Sequence, residues 1–309
     1  MNIAYLFPGQ GSQTVGMGRD LFDRSPEARA LFEKADGALG FSLSKICFEG
    51  PEEDLRLTQN TQPALLVVST AACRTLGRDP VVAAGHSLGE YSALVAAGCL
   101  RFEDAVVLVH KRGRYMQDAV PVGAGGMAAV LGVPGDEVAR RLGEVRAGIV
   151  EIANWNSDDQ IVISGEKPAV EEALALIKAP RSVMLPVSAP FHSRLMKPAE
   201  EKLAADLDAV AFADPRFPII TNVDARLIRT GAEAREALKR QVSRAVLWTK
   251  SMAVMRDLGI DACVECGPGK VLAGLVKRIA RGWPKAPVIY NVENWEGAEK
   301  ARAALFGLL

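Results

Sequence analysis

The sequence predicts an α/β protein in two parts, a large domain on a mostly parallel sheet and a small domain inserted into it. Three observations carry this. Apolar runs of strand length alternate with helix-start signals through residues 1–124. The order then changes to strand, helix, strand, strand, helix, strand over about 125–190. Longer α/β alternation resumes over 191–309.

In the first part, "NIAYLF" reads as a strand, and "SPEARALFEKAD" and "GPEEDLRLTQ" open as helices, each with a Pro near N1 and acids in the first turn. "QPALLVVSTAACRTL" continues as an apolar helix, "VVAAGHS" as a strand and "EYSALVAAG" as a helix packed through its alanines. After the Gly-rich break "VPVGAGG", strand "MAAVLGV", helix "GDEVARRLGEV", strands "GIVEIANW" and "DQIVISG", helix "KPAVEEALALIKA" and strand "RSVMLPV" give the βαββαβ order of a ferredoxin-like unit. Beyond it come a helix from about Pro198, strand "FPIITNV", helix "AREALKRQVS", strand "DACVECG", helix "KVLAGLVKRIA" and strand "PVIYNV".

Composition excludes more than it selects. The 309 residues are 49% hydrophobic and 24% charged, enough to bury a full core. Lys plus Arg equals Asp plus Glu at 37 each, so no overall field draws nucleic acid or an anionic membrane. The N-terminus lacks the basic start and apolar stretch of a signal peptide, and no apolar run approaches the roughly 20 residues that span a bilayer. The expectation is a cytoplasmic enzyme.

Five cysteines include one Cys-x-x-Cys, Cys263 and Cys266. Zinc would need two further ligands at suitable spacing, and the chain has three histidines in all. "DACVECGPG" is therefore expected as a buried strand whose two cysteines point to opposite faces. "GPGK" at 267–270 fails the phosphate-loop pattern, since no Gly lies five residues before Gly269 and Val271 follows Lys270. It is expected as a strand-to-helix turn.

The candidate chemistry lies in "VVAAGHSLGEYSALVAAG", where Gly85 and Gly89 bracket Ser87 between a strand and a helix. That context makes a nucleophile elbow: a tight turn lifts the hydroxyl out of the sheet and aims the free N–H groups of the helix at a reacting carbonyl. A serine hydroxyl needs a base within hydrogen-bond reach. His86 adjoins Ser87, and neighbouring side chains at an elbow diverge, so it reads as an orienting or packed residue. His110, in the apolar helical run "EDAVVLVHKRG", reads as a core or surface histidine. His192 remains, in "PVSAPFHSRLM", on a loop where the inserted segment returns to the large domain. Clefts between domains are where sites form.

"FPGQGSQTVGMG", "NTQPALL", "GHSLGEYSALVAAG", "RGRYMQDAVP", "SAPFHSRLM" and "ECGPGKVLAGLVKR", in this order from residue 7 to about 278, resemble the malonyl-CoA:acyl carrier protein transacylase family. The resemblance covers nearly the whole chain. It implies an α/β-hydrolase-like large domain with a ferredoxin-like insertion. It also implies Ser87 as acyl-carrying nucleophile, His192 as general base, and backbone N–H groups of Gln10 and Leu88 as oxyanion hole. In place of a triad acid, it implies backbone carbonyls on the other histidine nitrogen, one of them that of Leu247 before "WTK". Many relatives carry Gln at that position.

Arg112, by itself one of three cations in "HKRGR", becomes by resemblance the partner of the malonyl carboxylate, for which a guanidinium offers a two-donor fork that Lys lacks. Phe191, by the same route, narrows the pocket against an α-methyl group. Gln62 and Asn156 match family positions near the site; their residue types alone read as a helix-start and a turn residue.

The implied reaction is ping-pong transfer of malonyl from malonyl-CoA to the phosphopantetheine thiol of acyl carrier protein, by a monomer that needs no metal or tightly bound cofactor. Carrier proteins are typically acidic, so a basic patch is expected, with "HKRGR" and "LVKRIARG" as candidates. A polyketide synthase's free-standing acyltransferase stays open beside fatty-acid synthesis. A serine hydrolase would show an acid after Ser87 and then a histidine near the C-terminus, but the last histidine is His192.

Overall fold

The computed structural model describes residues 1–187 and 189–307; Ser188 of the "SAPFHSRLM" motif, Leu308 and Leu309 lie outside the described residues. Ten strands follow in chain order among the described residues: β1 (Ile3–Phe7), β2 (Val82–Gly85), β3 (Gly125–Leu131), β4 (Val150–Ser157), β5 (Gln160–Glu166), β6 (Arg181–Met184), β7 (Ile219–Ile220), β8 (Leu227–Ile228), β9 (Ala262–Cys266) and β10 (Val288–Val292). They form two sheets, ordered β10-β9-β1-β2-β7-β8 and β4-β5-β3-β6.

The large sheet is parallel from β10 to β7, with only the short β8 antiparallel at its edge. Its central strands are buried on both faces, which is why β1 reads as an unbroken apolar run. The pleat sends Tyr5 and Phe7 into one core and Ala4 and Leu6 into the other. The same alternation separates Cys263 from Cys266, as expected of a structural strand.

The second sheet, β3 to β6, is wholly antiparallel. The helices Gly135–Leu142 and Lys167–Ile177 cover it through Val138, Val170, Ala173 and Ile177. Each such Val or Ile side chain removed from water contributes on the order of 1.5–3 kcal/mol, and the alanine less. One link to the large sheet is Val246, whose N–H and C=O pair with Ala153 and Trp155 of β4 at 2.8 and 2.9 Å.

Several elements differ from the sequence expectation. The "FPIITNV" strand is only two residues long, because the chain leaves the ladder at Thr221 to bring Asn222 over β2. The helices Arg19–Arg24, Leu43–Glu49, Trp248–Asp257 and Trp295–Phe306 have no counterpart in the sequence reading. The "GPGK" turn does join a strand to a helix, Val271–Ile279, and the carboxylate of buried Glu265 accepts from its Leu272 and Ala273 N–H groups at 3.0 and 2.8 Å. That carboxylate occupies the position where a phosphate would bind. Among the described residues no helix is long and apolar enough to cross a membrane, and no group of three or more His, Cys, Asp or Glu could hold a metal ion.

Candidate active site

The loops after three adjacent parallel strands, β1, β2 and β7, supply Gln10, Ser87 and Asn222. This is the carboxyl edge of the sheet, where open α/β folds place ligands. Ser87 stands between β2 and the helix Leu88–Ala96 with φ 50° and ψ −107°. The glycines of the motif are dictated by close packing. A Cβ on Gly85 would fall 1.8 Å from the carbonyl carbon of Gly89, and one on Gly89 would fall 2.0 Å from the carbonyl oxygen of Phe7. Backbone strain at a non-glycine residue survives only where neighbours over-determine it. Here Asn222 Oδ1 accepts from the Ser87 N–H at 2.7 Å and Gln241 Nε2 donates to the Ser87 carbonyl at 2.9 Å.

His192 also takes a positive φ, 58°, and its Nε2 lies 2.7 Å from Ser87 Oγ. Its Nδ1 faces two acceptors, the carbonyls of Gln241 at 2.9 Å and Arg244 at 3.1 Å. Nδ1 must therefore carry the proton, which leaves Nε2 bare to receive the serine's. Burial, reinforced by the Arg112 charge, pushes the imidazolium pKa down to about 3, so the ring is neutral at pH 7.

The carbonyl implied for Leu247 is a correction. The backbone carbonyls on Nδ1 belong to Gln241 and Arg244, because the Leu247 carbonyl already closes the first turn of the helix Trp248–Asp257 on Ser251 N at 2.9 Å.

Arg112 is 1% exposed although its sequence neighbours are polar. Gly113 explains this: a Cβ there would come within 2.6 Å of the Thr58 and Gln59 backbone, so the helix Phe102–Asp118 lies against the helix Thr58–Arg74 at backbone distance. The guanidinium donates to Gln62 Oε1 at 2.7 Å, Gln241 Oε1 at 2.9 Å and Ser87 Oγ at 3.2 Å, and it lies over the Tyr91 ring at 5.5 Å. Amide oxygens hold it, and among the described residues no carboxylate forms an ion pair with it. Burial lowers its pKa, but guanidinium stays protonated in proteins, so a net positive charge is kept dry beside the hydroxyl.

The other sequence candidates take varied places. Leu88 opens its helix, so its N–H has no acceptor within the helix, and it lines the same cleft as Ser87. Gln10, Leu88, Phe191, Met127 and Leu185 wall a cleft of about 380 Å³ that contains Ser87, Arg112 and His192. Gln62 meets the site through Arg112. Asn156 meets it through His86, whose Nε2 lies 2.8 Å from Asn156 Oδ1; Asn154, two residues earlier on β4, faces the cleft itself. His86 also packs on Trp248 with ring centroids 5.5 Å apart. His110 is structural: Pro63 has no N–H for the Gln59 carbonyl, and His110 Nδ1 donates to that carbonyl at 2.9 Å.

Sequence reasoning missed Asn222, Gln241 and Glu90. Glu90 could have been found as the one acid in an apolar helix. Gln241, at the end of a charged helix, gave no signal.

A model of the acyl transferase domain family matches residues 4–300. The malonyl CoA-acyl carrier protein transacylase of Escherichia coli (strain K12) is 48% identical over 284 residues, 89% of this chain and 92% of that protein. The chain belongs to the malonyl CoA-acyl carrier protein transacylase family. The transacylase of Bacillus subtilis (strain 168) is 47% identical over 90% of each chain. Among solved transacylases, that of Coxiella burnetii superposes with a TM-score of 0.95 at 41% identity, covering 99% of this chain and 98% of that one. A malonyl-transacylase in complex with its type II PKS acyl-carrier protein matches with the same TM-score, 0.95, and 41% identity over 98% of this chain and 100% of that one.

Proposed function

We propose that the protein transfers malonyl from malonyl-CoA to the phosphopantetheine thiol of acyl carrier protein through a malonyl ester on Ser87. One observation carries this reading: a buried arginine without an ion pair among the described residues donates to the serine hydroxyl, so one cavity can hold a reacting thioester and a free carboxylate.

In the first half-reaction His192 Nε2 takes the Ser87 proton as Oγ attacks the thioester carbon. The N–H groups of Leu88 and Gln10 receive the developing oxyanion, a type of contact worth roughly a hundredfold or more in rate. Collapse expels the CoA thiolate, and the imidazolium returns the proton to sulfur. Three of the five Arg112 N–H donors engage Gln62, Gln241 and Ser87 Oγ. Acylation converts Oγ to an ester oxygen and frees that donor for the malonyl carboxylate. The carrier-protein thiol then runs the sequence in reverse, so thioester is exchanged for thioester with an equilibrium near unity.

The βαββαβ order and the β4-β5-β3-β6 pairing support a ferredoxin-like domain at 125–190, inserted in an α/β-hydrolase-like domain of residues 1–124 and 191–309. A groove of about 720 Å³ shares His192 with the cleft and is lined by Arg194, Lys197, Arg240 and Arg244 against Glu151 and Asp224. This excess of cations, none of them from "HKRGR" or "LVKRIARG", suits an acidic carrier protein although Arg194 and Arg240 are paired with those two acids. We read the enzyme as a cytoplasmic monomer serving fatty-acid synthesis. The similarity to a transacylase solved with a type II PKS carrier protein favours polyketide supply as the second reading.

Mass spectrometry after exposure to malonyl-CoA tests the reaction. The expected result is one malonyl adduct on Ser87, discharged by holo acyl carrier protein faster than by water. No adduct, or an adduct that survives Ser87→Ala, overturns it.

A further inference from the structure

We propose that Glu90, buried beneath the nucleophile and untouched by any substrate position in the mechanism, is the positioning residue that aims Arg112 at the acyl carboxylate and so sets selectivity for a charged acyl group. The proposal rests on the malonyl-transfer reading above.

Glu90 is the third residue of the helix Leu88–Ala96 and is 0% exposed. Its Oε2 accepts from the Asn222 N–H at 3.0 Å and from Gln241 Nε2 at 2.8 Å. These two amide residues come from elements far apart in sequence, the turn after β7 and the end of the helix Gly231–Gln241. Between them they touch Ser87, His192 and Arg112. Asn222 holds the Ser87 N–H and, through Nδ2, the Gly85 carbonyl at 2.6 Å. Gln241 holds the Ser87 carbonyl, Arg112 Nη2 and, through its own backbone carbonyl, His192 Nδ1.

The orientation of the Gln241 amide is the decisive step. One end of it faces only acceptors: Glu90 Oε2, the Ser87 carbonyl and Asn222 Oδ1 at 3.4 Å. The other end faces the Arg112 guanidinium, which can only donate. NH2 must lie toward Glu90 and the oxygen toward Arg112. Without an acceptor at position 90, the Asn222 N–H would be buried unpaired and one Gln241 N–H would keep only the long 3.4 Å contact with Asn222 Oδ1, a situation that structures relieve by moving the groups. Gln241 would then withdraw its oxygen and Arg112 would lose one of its two amide anchors. The amide also acts as a spacer: it lets a carboxyl orient the arginine without forming an ion pair with it, so the charge stays available to substrate.

The test compares kcat/KM for malonyl-CoA and acetyl-CoA, each with holo acyl carrier protein, in wild type, Glu90→Gln and Glu90→Leu. Glu90→Gln keeps an acceptor for both N–H groups, and the malonyl-to-acetyl ratio should stay within about threefold of wild type. Glu90→Leu should lower that ratio at least tenfold, because malonyl alone brings a carboxylate to Arg112, while the Arg112 contact with Ser87 Oγ is common to both substrates. A purely structural role would lower both substrates alike, and an unchanged ratio in Glu90→Leu overturns the proposal. Should Glu90→Leu fail to fold, Glu90→Asp decides, since it keeps the charge but draws the carboxyl back by one methylene: a ratio lowered at least threefold supports the proposal and an unchanged one overturns it. Wild-type enzyme that shows no malonyl preference overturns the proposed function instead, whatever the variants do.

Discussion

Arg112 Nη2 donates to Ser87 Oγ at 3.2 Å while His192 Nε2 stands 2.7 Å from the same oxygen, so the nucleophile is shared between a base and a cation. The base withdraws the proton; the cation stabilises the alkoxide character that results and lowers the pKa of the imidazolium that would compete with it. A hydrolase has no need of the second partner.

Arg112→Ala should slow transfer from either thioester through the lost contact with Ser87 Oγ and slow malonyl transfer further, since malonyl alone brings a carboxylate to the guanidinium. Hydrogen bonds to a charged group are worth about 1.5–3 kcal/mol, so kcat/KM for malonyl-CoA should fall roughly 10- to 150-fold. The value for acetyl-CoA should fall much less. Arg112→Lys should not restore malonyl transfer, because one ammonium cannot reach Gln62 Oε1, Gln241 Oε1 and a carboxylate in a single plane. Steady-state kinetics with both thioesters checks this; equal losses on both would remove Arg112 from the specificity role.

Gly89→Ala should cost stability and activity together. Its Cβ would lie 2.0 Å from the Phe7 carbonyl oxygen, a backbone atom that cannot swing aside. Overpacking of this kind typically costs about 1–3 kcal/mol, occasionally more, and here it would push the elbow helix off β1. Thermal unfolding paired with the Ser87 acylation rate reads both effects. A variant of unchanged stability and full acylation would mean that the elbow tolerates displacement.

Much of this site is legible in the sequence for a physical reason: the elbow needs glycine at two fixed offsets, and elimination among three histidines leaves His192. The parallel sheet is legible in the same way, as apolar runs between helix-start signals. Arg112 was readable only through family resemblance. Its burial comes from Gly113 and the close approach of a second helix, a tertiary contact that no periodicity in "HKRGR" encodes. The Leu247 carbonyl was misplaced because a backbone acceptor leaves no mark on side-chain sequence. Gln241 escaped notice for a related reason, since an amide among charged residues looks like a solvated face until the fold buries it.

Thiol alkylation should leave the enzyme active. Burial pushes Cys47, Cys99 and Cys263 up to about 12 and raises Cys266 well above its ordinary value, so almost no thiolate exists at pH 7.5. Cys73 is the half-buried one. Iodoacetamide should label at most Cys73, with transacylation retained, whereas a serine-directed sulfonyl fluoride should abolish it. Inactivation in step with labelling of Cys263 or Cys266 would give the Cys-x-x-Cys pair a role that its strand position denies.

The pH profile should separate this base from an ordinary histidine. A general base works when unprotonated, and the His192 pKa lies near 3, below its unfolded value of about 6.5. The rate should therefore hold as pH falls: between pH 8 and 5, kcat/KM for malonyl-CoA should drop less than about threefold, where an imidazole of pKa ≈ 6.5 would lose about thirtyfold. Stability carries the opposite cost. A depressed pKa gives stability that is present above about 6.5 and lost as pH falls toward 3, because only the unfolded chain takes up the proton. Burial lowers His86 in the same direction. Glu90, which burial pushes up to about 7, has the reverse sign, with stability fully present below its unfolded value and lost as pH rises through 7. Urea unfolding of wild type and His192→Ala between pH 7 and 4 isolates the His192 share. Wild type should lose stability relative to the variant by up to about 1.4 kcal/mol per pH unit below 6.5. A constant difference across that range, with an acid limb near 6.5 in kcat/KM, would show that the histidine is solvated in solution and that burial does not set its pKa.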